Sequence, residues 1–374
     1  MPVSQAQRVL PFFNYSHFFQ SQEEELVSIF KDVGRRGAFI LQSDVRQFES
    51  SLAAYTGARY AIGVANGTDA LIIALRAAGI GPGDEVIFSS HTYVATAASI
   101  FFAGATPVAA DCMADHMLDP DSVREKITQK TRAIMPTQLN GRTCNMDALR
   151  AIADEHNLLI IEDAAQGLGS RFKGKMAGTF GIAGTISFYP AKTLGCLGDG
   201  GAILTNDDQM YAKMCLLRDH GRNEKGDIVA WGLNSRLDNL QAAFLDAQMR
   251  RFPKVVLRRR EMASQYQALL GENARLTLPP APEENTDHYD AYQNYEIEAD
   301  NRDALREYLK ANGIGTLIQW GGKAVHQIPQ LNVKASLPVT DRIFDRCLMV
   351  PFNMSMTDDD IHYVCDHIQA FYRA

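Results

Sequence analysis

The sequence predicts an α/β fold with a mostly parallel sheet, followed by a smaller C-terminal α/β unit. From about residue 48, short apolar runs alternate with longer helical stretches. Those runs are mostly apolar, as strands covered on both faces must be. The chain has 374 residues, 46% of them hydrophobic, enough for a large core and two domains.

Each element follows from local chemistry. Residues 1–36 are mixed and aromatic (Phe12, Phe13, Tyr15, Phe18, Phe19), which predicts an N-terminal arm and helix packed on another surface. Tyr60-Ala61-Ile62-Gly63-Val64 is the first buried strand, and Asn66-Gly67-Thr68-Asp69 turns the chain into a helix over 70–78. The turn Gly81-Pro82-Gly83-Asp84 precedes a strand over 85–88. Then come a helix over 95–103, strands over 107–110 and 132–136, a helix over 146–156 and a strand over 158–161. Strands over 185–189 and 202–205 flank Lys192. Leu237, Leu240, Ala243, Phe244 and Met249 lie near helical spacing, which predicts a long amphipathic helix over 236–252 that Pro253 breaks. A charged helix over 258–270, a proline-rich linker over 278–282 and a small α/β unit complete the chain. The domain boundary is placed near Pro253. This gives an arm (1–36), a large domain (37–253) and a small domain (254–374).

Composition excludes several classes. The formal net charge of −7 gives no reason to expect nucleic acid or an anionic membrane as partner. No basic-then-apolar leader and no membrane-length apolar run is seen. The six cysteines lack Cys-x-x-Cys spacing, so reduced thiols in a cytoplasmic protein are expected. Histidines and cysteines form no metal-ligand spacing, and no metal is expected. Gly169-Ser170-Arg171-Phe172-Lys173-Gly174-Lys175 has P-loop glycine spacing, but Met176 stands where Mg²⁺ binding needs Ser or Thr; it reads as a hairpin-like loop. No Gly-x-Gly-x-x-Gly follows a strand, so a nicotinamide or flavin fingerprint is absent.

The chemistry sits where strands end. Asp163 closes the run Leu158-Leu159-Ile160-Ile161-Glu162, so its carboxylate emerges at the sheet's carboxyl edge, where ligands of open α/β sheets bind. Gln166 lies three residues on, within reach of the same ligand. Lys192 follows Ser187-Phe188-Tyr189-Pro190-Ala191 and precedes the glycine-rich Gly195-Cys196-Leu197-Gly198-Asp199-Gly200-Gly201. Such an Asp and Lys are the basic equipment of a pyridoxal 5′-phosphate enzyme: the lysine forms the Schiff base, and the aspartate keeps the pyridine nitrogen protonated. Asn66-Gly67-Thr68-Asp69 opens a helix, and Gly67, Thr68 and Asp69 fit an anion site for the phosphate. Taken singly, each feature has a plainer reading, as a helix cap or a solvated loop lysine.

The ordered set resembles the DegT/DnrJ family of nucleotide-sugar aminotransferases. The matching pieces are Ala65-Asn66-Gly67-Thr68-Asp69-Ala70-Leu71, His91-Thr92-Tyr93-Val94-Ala95-Thr96-Ala97 and Ile161-Glu162-Asp163-Ala164-Ala165-Gln166. They continue with Ser187-Phe188-Tyr189-Pro190-Ala191-Lys192, Gly198-Asp199-Gly200-Gly201-Ala202 and Asn234-Ser235-Arg236-Leu237-Asp238. The resemblance implies a fold type I transferase with a mostly parallel seven-stranded sheet. It implies that Lys192 anchors the cofactor, Asp163 faces the ring nitrogen and Gln166 lies beside the phenolic oxygen. Tyr93 takes the place of the ring-stacking aromatic, and Gly67, Thr68 and Ser187 resemble the phosphate cup. Asn234 resembles the residue that reaches the phosphate from a neighbouring subunit, which implies a homodimer with shared active sites. His326 matches a histidine near the nucleotide sugar, and Arg236 is a candidate carboxylate clamp.

Two segments depart from the family pattern, Thr137-Gln138-Leu139-Asn140-Gly141-Arg142 and Ile318-Gln319-Trp320-Gly321-Gly322. They lie on the substrate side, so the resemblance leaves the sugar open. The reaction it implies is amino transfer from glutamate to a keto sugar linked to a nucleotide, with C3 of a UDP-2-acetamido-3-keto sugar preferred. It would serve polysaccharide or lipopolysaccharide biosynthesis. The alternatives are a 4-keto-6-deoxy dTDP or GDP sugar as acceptor, a sugar dehydratase on the same scaffold, or a non-catalytic regulator. The dehydratases carry His where Lys192 stands, and a regulator has no need of Lys192, Asp163, Gln166 and Ser187 together.

Overall fold

The computed structural model describes residues 8–282 and 287–373. Its centre is a seven-stranded sheet. In chain order the strands are β1 (Tyr60–Val64), β2 (Glu85–Ser89), β3 (Thr106–Ala110), β4 (Thr131–Met135), β5 (Leu159–Asp163), β6 (Ala183–Ser187) and β7 (Gly201–Thr205). Across the sheet the order is β1-β7-β6-β5-β4-β2-β3. From β6 to β3 all neighbours are parallel, while β7 runs antiparallel between β6 and β1. Ile62, Ile87, Phe88, Ile161 and Ile203 are wholly buried, as strands covered on both faces require.

The helix Gly67–Ala77 is apolar nearly all round, and seven of its residues are buried. A helix without a polar stripe must be covered on every side. It lies among β6, β7 and the helices Val94–Phe102 and Asp208–Arg218. The register gathers several strand ends at one edge: Gly201, where β7 begins, pairs with Ser187 and Val64, the last residues of β6 and β1.

The second unit has a three-stranded antiparallel sheet of Leu276–Thr277, Tyr295–Ala299 and Cys347–Val350. Helices Arg302–Ala311 and Asp358–Arg373 share its core. Its core is aromatic: Tyr266 stacks on Tyr295 at 4.8 Å and Tyr295 on Phe352 at 5.5 Å. Within the arm, Leu10 bridges to Ile314 and joins this core, and helices Tyr15–Gln20 and Glu23–Arg36 follow. Residues 1–7 of the arm lie outside the described residues.

The helix predicted over 236–252 is shorter, Asn239–Met249. Pro253 does not end it; Pro253 lies in the first turn of the next helix, Phe252–Leu270, which begins earlier than the predicted 258. Proline is tolerated there because first-turn N–H groups have no partner within the helix. That helix enters both cores. Phe252 and Val256 belong to the large one, and Met262, Tyr266 and Leu270 to the small one. The segment with P-loop spacing forms a hairpin, Arg171–Phe172 against Lys175–Met176.

Candidate active site

The phosphate-like cradle is built by close approach. Asn66 caps its helix, accepting from the Asp69 N–H at 2.8 Å, so the remaining first-turn N–H groups point outward unpaired within the helix. Gly67 faces the end of β6: a Cβ there would stand 3.0 Å from Ser187 Cβ. A Cβ on Gly201 would come within 2.5 Å of the Asn66 carbonyl carbon. Helix N-terminus, Ser187 and the start of β7 therefore meet at one spot, with Thr68 on the first turn. The Ser187 hydroxyl accepts weakly from the Tyr189 N–H at 3.4 Å.

Strand period decides the roles of two adjacent acids. Glu162 and Asp163 point to opposite faces of β5. Glu162 is fully buried and accepts from the N–H groups of Gly178, Phe180 and Gly181 and from Gln138 Nε2. Its oxygens are consumed in holding that loop. Asp163 Oδ2 accepts from Thr96 Oγ1 at 2.6 Å, and Oδ1 from the Ala165 N–H at 3.2 Å. Thr96 in turn pairs with Thr92 at 2.7 Å, and Thr137 donates to Thr92 at 3.0 Å. Burial pushes the Asp163 carboxyl up, while those donors and the charge of Lys192 pull it back.

Lys192 sits in a closed loop. Its N–H donates to the Tyr189 carbonyl at 2.8 Å, and Cys196 N–H returns to the Phe188 carbonyl at 2.8 Å. Gln293, from the small unit, holds the loop on both sides. Its Nε2 donates to the Ala191 carbonyl at 2.8 Å and its Oε1 accepts from the Thr193 N–H at 2.6 Å. Lys192 keeps part of its surface open, and it borders two clefts. Burial lowers its amine to about 8, against an opposing pull from Asp163. One cleft carries the arm aromatics Phe12, Phe13, Tyr15 and Phe18; the other carries Gln166, Tyr189 and Trp320. Gln166 Oε1 accepts from the Asn140 N–H at 2.8 Å.

Tyr93 is 57% exposed at the start of the helix whose Thr96 reaches Asp163. The other candidates have partners of their own. Asn234 is exposed and bridged to Asp219, while its neighbour Ser235 turns inward to accept from the Ala65 N–H. Arg236 pairs with Asp219 at 3.0 Å. Both ring nitrogens of His326 are engaged, Nδ1 with Ser90 at 2.7 Å and Nε2 with Asp341 at 3.0 Å. Among the described residues, no hydrogen bond or ion pair joins Asn234, Arg236 or His326 to Lys192 or Asp163. Sequence reasoning missed Thr96 and Gln293. Thr96 lies inside a quoted motif but reads there as a helix residue, and Gln293 is a hundred residues from the loop it holds.

Residues 20–369 match the DegT/DnrJ/EryC1/StrS aminotransferase family. The chain belongs to that family. It is 39% identical to a pleiotropic regulatory protein of Geobacillus stearothermophilus, over 97% of this chain and 99% of the relative. It is 37% identical to the UDP-2-acetamido-2-deoxy-3-oxo-D-glucuronate aminotransferase of Pseudomonas aeruginosa, over 88% of this chain and 91% of the relative. The crystal structure of S. venezuelae DesV in complex with a ketimine intermediate superposes with a TM-score of 0.94 at 35% identity, covering 98% of this chain and 99% of that one. The cofactor of this aminotransferase is pyridoxal 5′-phosphate, and the site fits it. The Gly67–Ser187 cradle suits a phosphate, Asp163 is a buried carboxylate, and Lys192 is a desolvated amine.

Proposed function

We propose that this chain transfers the amino group of glutamate to the keto group of a nucleotide-linked sugar, with C3 of a UDP-2-acetamido-3-keto sugar as the preferred acceptor. The observation that carries the reading is the desolvated Lys192 amine beside buried, doubly hydrogen-bonded Asp163. The P. aeruginosa relative, whose name specifies a 3-oxo sugar on UDP, supports the choice of acceptor. Six free cysteines suit a reducing, cytoplasmic compartment, and the product would feed polysaccharide or lipopolysaccharide assembly.

When bound, the cofactor supplies an electron sink for the carbon that loses its proton. Gly67, Thr68 and Ser187 would hold its phosphate, with Asp69 completing the first helical turn. Asp163, oriented by Thr96 and the Ala165 N–H, would hold positive charge at the ring nitrogen. Tyr93 would cover the ring, and Gln166, whose Oε1 accepts from the Asn140 N–H, would offer its amide to the phenolic oxygen. With the cofactor bound, Lys192 Nζ would carry the proton lost by the donor's α-carbon to the cofactor, and in the second half would carry one from the cofactor to the sugar carbon. With an amine lowered to about 8, Lys192 has its neutral, proton-accepting form within reach of neutral pH. Gln293 holds the loop so that Nζ stays in place.

The proposal includes a homodimer in which Asn234, Arg236 and His326 complete the phosphate and substrate sites, Asn234 reaching across from the neighbouring subunit. The exposed apolar side chains of Trp231, Phe101 and Phe102 support an apolar contact surface of this kind. Turnover of glutamate against a panel of UDP-, dTDP- and GDP-linked keto sugars tests the reading. Amination of a UDP-linked 3-keto sugar in preference to the 4-keto-6-deoxy sugars is expected. Elimination of water without nitrogen transfer would instead support the dehydratase.

A further inference from the structure

Behind the Tyr93 turn, three distant segments bring two imidazoles and a carboxylate together. His91 follows β2, His116 lies in the loop after β3, and Glu296 is on the small-unit strand Tyr295–Ala299. One nitrogen of each ring and a carboxylate oxygen all lie within 4.8 Å of one another. Glu296 Oε2 stands 2.9 Å from His116 Nδ1 and 3.6 Å from His91 Nε2. His91 is wholly buried, yet among the described residues neither of its ring nitrogens has a hydrogen-bond partner, and Glu296 Oε1 has none either.

We infer that His91, His116 and Glu296 form a binding site for a divalent transition-metal ion of the zinc type. Donor chemistry fits: two imidazole nitrogens and one carboxylate oxygen are a familiar zinc set. An ion about 2.0–2.1 Å from each donor puts neighbouring donors roughly 3.3 Å apart in tetrahedral geometry. The separations of 2.9 and 3.6 Å bracket that value. His116 and Glu296 border a small cavity with Asp115, Asn140 and Arg142, from which a water can supply the fourth donor.

The surroundings are those of a built site. His116 turns its second nitrogen to Glu298 Oε1 at 3.5 Å, and Glu298 is held by Arg346 at 3.3 Å. Asn140 Nδ2 donates to Glu296 Oε2 at 2.9 Å. Metal-bound histidines commonly carry a carboxylate on the far nitrogen, and ligating carboxylates are themselves hydrogen-bonded. Trp320 and Phe344 pack on the His91 ring at 5.4 and 4.9 Å, keeping water from that side. A plain ion pair of His116 with Glu296 explains their contact but leaves both ring nitrogens of buried His91 without a hydrogen bond, Nε2 only within 3.6 Å of Glu296 Oε2, a costly arrangement. Asn140 and Trp320 also belong to the two segments that depart from the family pattern.

The ion would join the large unit, through His91 and His116, to the small unit through Glu296. His91 is two residues from Tyr93, and Asn140 also donates to Gln166. Its role is therefore to fix two cofactor-facing loops against the small unit, without touching the reacting atoms.

The test uses the holoenzyme stripped with EDTA and titrated with Co²⁺. Wild type should bind one equivalent with the visible d–d absorption of a tetrahedral site, lose it to Zn²⁺, and melt at a higher temperature when loaded. His91→Phe keeps the ring packing and His116→Gln keeps a polar group; each should bind Co²⁺ at least tenfold more weakly. Absence of a saturable band in wild type would overturn the inference, as would a band that both variants retain. Should a variant not fold, zinc-edge X-ray absorption of the wild type decides. Two imidazoles in the shell support the site, whereas a thiolate or all-oxygen shell overturns it.

Discussion

Two desolvated ionisable groups set the chemistry at the scale of single residues. Lys192 is pulled down and Asp163 pushed up by the same cause, loss of water, and each partly restores the other's charge. Replacing Lys192 by Ala should lower turnover at least ~100-fold, the usual contribution of a positioned acid/base, with the circular dichroism spectrum unchanged. Asp163→Asn should keep cofactor binding but slow the half-reaction with glutamate, since an amide cannot hold positive charge at the ring nitrogen; an unchanged rate would reduce Asp163 to a turn cap. The lowered amine also makes a pH prediction. Only neutral Lys192 can attack the cofactor aldehyde, so the rate at which apoprotein recaptures cofactor should rise with pH and level off just above about 8. A rise continuing towards the ordinary lysine value near 10.4 would show an amine that is not desolvated. The positions of both residues were legible in the sequence because Asp163 ends a strand and Lys192 follows one, and strand ends of a parallel sheet collect at one edge. Thr96, Gln293 and the His91–His116–Glu296 cluster were not, because their partners come from other segments and no spacing records that.

At the scale of elements, the site depends on how closely one helix approaches two strands. Gly67 permits the contact with Ser187, and an added methyl would crowd Ser187 Cβ at 3.0 Å. Gly67→Ala should therefore raise the dissociation constant for the cofactor severalfold, although alanine by itself favours the helix. Equilibrium dialysis against the cofactor measures it, and unchanged affinity would mean that helix and strand separate without consequence. Apolar runs and turn residues predicted the strands of the large sheet to within a few residues. Helix boundaries around Pro253 were misjudged, because proline ends a helix from within but suits its first turn. What the sequence pattern could not show is that the helix Phe252–Leu270 serves two cores, since its apolar residues meet different partners at its two ends.

At the scale of the whole molecule, Asn234 and Arg236 pair with Asp219, and among the described residues no hydrogen bond or ion pair joins either to Lys192; the exposed Trp231 lies close by in the sequence. If sites are shared, mixing inactive Lys192→Ala subunits with inactive Asn234→Ala subunits should restore part of the activity, since a mixed dimer holds one site with all its wild-type groups. No recovery despite subunit exchange would place both residues in separate, single-chain roles. The departures at residues 137–142 and 318–322 fall beside this site, so family membership fixes the chemistry more firmly than the sugar. The most direct measurement follows the nitrogen. Enzyme given ¹⁵N-glutamate and a UDP-2-acetamido-3-keto sugar should yield a UDP-linked amino sugar carrying the label, with one 2-oxoglutarate formed for each product. Cofactor-loaded enzyme that leaves the label in glutamate with every keto sugar offered would contradict the account.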